Sequence, residues 1–110
     1  MFRANMPKRR TLSVALIGTK FMGRAHSNAW RQAPRFFDLP ADIRMTAICG
    51  RDHVGTRRAA KKLGWERAVY DWRVITADTD IDIVDICTPN DSHALIAIAA
   101  ARAGKAILCE

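Results

Sequence analysis

The sequence predicts an α/β domain built on a doubly wound parallel sheet, strand order 3-2-1-4-5, with helices on both faces. Two observations carry that expectation. Short apolar runs recur along the chain and are nearly continuous rather than alternating, as strands covered on both faces require. Segments with helical spacing fall between them, so strand and helix alternate throughout. Short connections and right-handed crossovers then restrict the topology to this order.

The first run, Leu12 to Ile17, ends at Gly18 and reads as the opening strand. A helix from Met22 to about Gln32 follows. The stretch from Arg35 to Asp42, with Phe36, Phe37 and Pro40, reads as an irregular loop over the sheet edge, its aromatics turned outward. The second strand is Met45 to Cys49, the second helix Asp52 to Leu63. A weaker strand at Ala68 to Tyr70 leads to a short helix, Asp71 to Ala77. Ile81 to Cys87 forms the fourth strand, Ser92 to Ala103 the last helix and Ala106 to Cys109 the last strand. Gly64 and Gly104 stand where a left-handed residue ends a helix without a Cβ penalty. Asp52, Asp71 and Asp91 stand where a carboxylate caps orphan N–H groups and complements the helix dipole. The last helix is almost uniformly apolar from Ala94 to Ala101, which predicts tight packing against the sheet or a neighbour.

A chain of 110 residues has room for one core. Its net charge of +7 invites a nucleic-acid reading, but the distribution argues against one. Arg3, Lys8, Arg9 and Arg10 gather in a basic tail over residues 1–10, and Arg57, Arg58, Lys61 and Lys62 share the spacing of one solvated helix face. Arg9-Arg10 ahead of an apolar stretch resembles an export signal, yet Gly18 and Lys20 interrupt the stretch too soon. No run nears the ~20 apolar residues that cross a membrane. Cys49, Cys87 and Cys109 are widely spaced, without a CxxC, which argues for a reducing compartment and against a disulfide framework or zinc site. A cytoplasmic protein with no metal, no nucleic-acid partner and no membrane partner is the expectation.

Chemistry concentrates after two strands. Gly18-Thr19-Lys20-Phe21-Met22-Gly23 turns from the first strand into a helix, the place for a pyrophosphate in a dinucleotide-binding Rossmann fold. The first and third glycines of the G-x-G-x-x-G fingerprint are present and the second is Lys20. A lysine fits there if its backbone keeps a negative φ, and its ammonium can pair with a phosphate. A βα turn that merely needs two glycines is the alternative. After the second strand, Gly50 leaves space and Arg51 supplies a cation where an NAD site offers an acid, a combination suited to the 2′-phosphate of NADP. Asp52 can reach a ribose but is better used capping the next helix. After the fourth strand, Thr88, Pro89, Asn90 and His93 face the first loop across the crevice, and a well-capped helix start competes with a ligand site there. His26 and His53 read as structural or solvent-facing, and no residue is assigned as catalytic.

Three segments, Val14-Ala-Leu-Ile-Gly-Thr-Lys-Phe-Met-Gly-Arg-Ala-His26, Asp82-Ile-Val-Asp-Ile-Cys-Thr-Pro-Asn90 with His93, and Ala103-Gly-Lys-Ala-Ile-Leu-Cys-Glu110, together resemble the N-terminal domain of the Gfo/Idh/MocA oxidoreductases. The resemblance implies that residues 11–110 form an NAD(P)-binding Rossmann domain. It implies that Gly18, Thr19, Lys20, Phe21, Met22 and Gly23 bind the diphosphate of NADP or NAD, with a lean to NADP. Gly50 and Arg51 then flank the adenosine ribose, and Thr88, Pro89, Asn90 and His93 line the nicotinamide side. Glu110 matches the glutamate of the family's E-K-P motif. The lysine that follows it in the family, and the C-terminal domain that holds substrate, lie beyond this chain. The family's reaction moves a hydride between a nicotinamide and a sugar, cyclitol or related compound, so this chain holds cofactor at most. A non-catalytic nucleotide-binding or interaction module is the competing class. The apolar last helix and the edge strand after Lys105 would then lack cover, which predicts self-association.

Overall fold

A computed structural model describes residues 9–109. Nine elements follow in order: β1 (Thr11–Ile17), α1 (Phe21–Phe36), β2 (Asp42–Cys49), α2 (His53–Leu63), β3 (Arg67–Val69), α3 (Trp72–Ala77), β4 (Ile83–Ile86), α4 (Asn90–Arg102) and β5 (Ala106–Cys109). The strands form one parallel sheet in the order β3-β2-β1-β4-β5, as the alternation predicts.

Period-two alternation in β1 explains the layers. Val14 and Leu16 pack with Ile48, Ala60 and Trp65 beneath α1 and α2, whereas Ala15 and Ile17 join Ile75, Val84, Ile86, Ile96 and Ala100 beneath α3 and α4. Leu16, Ile48, Ile75, Ile86 and Ile96 are at most 1 % exposed, so both faces of the sheet are sealed at its centre.

Five expectations need correction. α1 runs on to Phe36 through Pro34, so Arg35 and Phe36 are helical rather than loop. Proline removes the bond to the Trp30 carbonyl, but it does so in the last turn, where few bonds remain to lose. Phe36 and Phe37 do point outward, 75 % and 67 % exposed. Asp91 is not a cap: α4 opens at Asn90 with Pro89 in the capping position, and Asp91 sits inside the first turn. Asp52 and Asp71 do cap, accepting from the N–H groups of Gly55 and Arg73. The fourth strand begins at Ile83 and ends at Ile86, although Ile81 remains buried. β2 begins at Asp42 rather than Met45, so the loop ahead of it ends sooner. Finally, α4 packs against the sheet on one side and leaves apolar residues uncovered on the other. Ile96 and Ala100 are buried, while Leu95 and Ile98 are 62 % and 50 % exposed.

Candidate cofactor site

In an open parallel sheet the ligand crevice lies at the C-terminal ends of the strands where the order reverses, here β1 and β4. The turn after β1 is built from glycine for two separate reasons. Gly18 adopts φ +118°, and a Cβ there would lie 2.6 Å from the Cys87 carbonyl oxygen. Gly23 is buried one helical turn into α1, where a Cβ would stand 2.1 Å from the Gly18 carbonyl oxygen. The absent side chains bring α1 down onto the end of β1 and bring the turn against β4. Backbone bonds hold the same place: Gly18 N–H donates to the Cys49 carbonyl at 2.9 Å, and Cys87 N–H donates to the Ile17 carbonyl at 2.8 Å.

Lys20 occupies the capping position of α1 with φ −81°, the backbone a lysine needs to replace the second glycine. Its side chain is exposed and makes no capping bond, and the first turn of α1 holds no acid. Phe21 is 69 % exposed, whereas Met22 packs onto the core beneath α1. This helix start therefore differs from those of α2 and α3. Its orphan N–H groups and positive dipole end have no capping carboxylate among the described residues, which leaves them suited to an anion.

At the end of β2, a Cβ on Gly50 would come within 2.5 Å of the Thr56 hydroxyl oxygen and 2.9 Å of Thr19 Cγ2. No larger residue fits without displacement, so position 50 cannot offer an acid to a ribose. Asp52 is engaged with Gly55 N–H at 3.1 Å. Arg51 is exposed beside them, and no ion pair of Arg51 occurs among the described residues. Burial pushes the Cys49 thiol up to about 12, with the Asp71 charge adding in the same direction.

Beyond β4, the Ser92 hydroxyl lies 2.7 Å from the Thr88 hydroxyl and 2.9 Å from the Pro89 carbonyl. His93 Nε2 donates to the Thr88 carbonyl, and His93 Nδ1 lies 3.3 Å from Cys109 Sγ, which can donate to it. The imidazole is thus held between β4 and β5. The turn after β1 thus meets the end of β4 directly, through Gly18 and Cys87, and Gly50, Thr19 and Thr56 meet at the end of β2. Glu110 lies outside the described residues.

One cluster escapes the sequence reading. Asp85, fully buried in β4, accepts from His26 Nδ1 at 2.8 Å and from Trp30 Nε1 at 2.9 Å, with Cys87 Sγ 3.5 Å away. The signal was present as an acid inside the apolar run Ile83-Val-Asp-Ile86, since a buried carboxylate demands donors. The ligating atoms of His26, Asp85 and Cys87 lie within 4.8 Å of one another. However, the nitrogen and oxygen atoms are at hydrogen-bond distance, closer than the roughly 3.3 Å that separates two ligands on a tetrahedral zinc.

The model of the oxidoreductase family with an NAD-binding Rossmann fold matches residues 12–110. The chain belongs to the Gfo/Idh/MocA oxidoreductase family. Levoglucosan dehydrogenase of Pseudarthrobacter phenanthrenivorans is 48 % identical over 102 residues, covering 92 % of this chain and 26 % of that protein. Inositol 2-dehydrogenase of Rhizobium meliloti is 36 % identical over 100 residues, covering 91 % and 28 %. A solved levoglucosan dehydrogenase in complex with NADH superposes with a TM-score of 0.88 at 48 % identity, covering 91 % of this chain and 27 % of the other. The chain spans about a quarter of the length of these Gfo/Idh/MocA relatives. No helix among the described residues is long and apolar enough to cross a membrane.

Proposed function

We propose that residues 11–110 hold the nicotinamide dinucleotide of an enzyme that moves a hydride between NAD(P) and a sugar or cyclitol. The observation that carries this reading is the uncapped start of α1, seated on Gly18 and Gly23 at the point where β1 and β4 diverge. The residues fit the group, because Gly18 and Gly23 let the turn close on β4 and α1 close on β1, which brings the open helix start to the end of the sheet where a diphosphate lies. Gly18, Thr19, Lys20, Phe21, Met22 and Gly23 hold the diphosphate, backbone N–H groups donating and the Lys20 ammonium adding charge. Gly50 and Arg51 flank the adenosine ribose. Thr88, Pro89, Asn90 and His93 border the nicotinamide. Bound there, the nicotinamide supplies the hydride chemistry, and this chain's residues bind it, orient it and shield it from water. Substrate walls and the acid/base group belong to a further domain, for which the names of the relatives suggest a sugar or cyclitol ligand.

Arg51 beside a glycine, where an NAD site offers an acid, favours NADP over NAD, since a guanidinium pairs with a 2′-phosphate. The cytoplasm is the compartment this reading places it in. Calorimetric titration with NADP and then NAD tests the reading. NADP binding several-fold tighter than NAD, with Arg51→Ala abolishing the difference and leaving NAD affinity unchanged, is the expected result. Equal affinity in both proteins would overturn the NADP preference. Binding of neither nucleotide would overturn the cofactor role and favour an interaction module.

A further inference from the structure

We infer that Asp85 is a positioning residue that sets the spacing of the two walls of the dinucleotide crevice. The inference rests on the cofactor reading above and assigns a role to a residue outside the binding segments.

Asp85 lies in the middle of the sheet, opposite Leu16 of β1 and Leu108 of β5, and is 0 % exposed. A carboxylate at such a place is bound to its donors, and replacing it alone strands the N–H groups of His26 and Trp30 without an acceptor. What the carboxylate supplies is direction. His26 and Trp30 stand four residues apart on one face of α1, and both donate to it. Because a carboxylate only accepts, His26 carries a proton on Nδ1, and two N–H vectors fix the rotation of α1 about its own axis. Cys87, two residues on and just past the end of β4, completes the group at 3.5 Å.

Both ends of this network run into the crevice. His26 follows Gly23 by three residues, so the rotation of α1 decides where its uncapped first turn points. Cys87 carries the carbonyl against which Gly18 closes, and Thr88 and Pro89 follow it directly. A single buried side chain therefore ties the diphosphate wall to the nicotinamide wall. On the same sheet-facing side of α1, Trp65 Nε1 donates to the buried Ser27 hydroxyl at 2.9 Å and Ser27 donates to the Gly23 carbonyl at 2.7 Å, a second hold on the helix that does not pass through Asp85.

The consequence is a separation of NADH affinity from AMP affinity. The test compares the full chain with Asp85→Leu, Asp85→Asn and Trp30→Phe, measuring thermal midpoint together with affinity for NADH and for AMP. AMP occupies the adenosine half alone and does not span the two walls. Asp85→Leu is expected to lower the midpoint by several degrees, because two donors lose their acceptor, to keep AMP affinity within twofold and to weaken NADH about tenfold. Asp85→Asn, which can still accept from Trp30 and can donate to His26, is expected to restore NADH affinity to within threefold of wild type. Trp30→Phe is expected to weaken NADH in the wild-type background and to add nothing to Asp85→Leu, because the indole acts through the carboxylate. Should Asp85→Leu fail to fold, Trp30→Phe decides by the same NADH-to-AMP ratio. Equal losses for NADH and AMP, or unchanged NADH affinity in Asp85→Leu, would overturn the inference. Wild-type protein that binds AMP and NADH no better than its unfolded form would instead overturn the cofactor reading.

Discussion

Single residues carry more of the site's geometry than their size suggests. Gly23 is the sharpest case, because its missing Cβ is all that separates α1 from the Gly18 carbonyl, a backbone atom that cannot rotate away. Gly23→Ala should cost about 3 kcal/mol or more through overpacking and remove NADH binding, as urea denaturation and titration would show. A variant with unchanged denaturation midpoint would contradict the packing described. Cys49 ties pH to stability. Its folded pKa is raised from the ordinary 9.0 to about 12, so its contribution is complete below about 9 and is lost as pH rises toward 12. In that window stability should fall by about 1.4 kcal/mol per pH unit, and Cys49→Ala should flatten this part of the slope in urea midpoints taken from pH 8 to 11. The glycines were legible in the sequence because their positions after a strand match a backbone requirement. The Asp85 cluster was not, since it joins residues 55 and 59 apart in the chain, and no local pattern states which donors a buried acid finds.

At the scale of elements, the helix starts divide by task. α2 and α3 close theirs with Asp52 and Asp71, while α1 leaves its own open with Lys20 in the capping position. Lys20→Asp should install the missing cap and stabilise the chain by about 1 kcal/mol. It should also weaken NADH at least tenfold, because a carboxylate then occupies the donors a diphosphate needs and repels it. A thermal melt and an NADH titration on the same sample check both halves, and a gain in both would refute the assignment of this helix start. Strand and helix order was readable from periodicity alone, and β5 matched residue for residue. The ends of α1 and α4 were not, because propensity rules penalise Pro34 and favour Asp91 as a cap, while packing carried α1 through the proline and chain direction after β4 set the start of α4 at Asn90.

For the whole molecule, the imbalance lies at the β5 side of the sheet. Leu95, Ile98 and Leu108 are about half exposed or more, around a strand with one unpaired edge. Sedimentation of this chain should show association that rises with concentration, and Leu95→Lys with Ile98→Glu should return it to a monomer. A wild-type chain that stays monomeric at high concentration would show that this face is innocuous. The strand order has another consequence. β1 pairs with β2, which follows after one helix, but also with β4, whose partner residues come about 69 positions later. As the chain emerges during synthesis, Gly18 and Gly50 are in place once β2 has docked, but the Cys87 carbonyl that closes on Gly18 exists only after four further elements. A half-made sheet can thus offer a resting place for adenosine without a crevice for the whole cofactor. Capture of the complete dinucleotide becomes a readout of finished topology, and nascent chains held back before β4 should leave the cell's nicotinamide pool untouched.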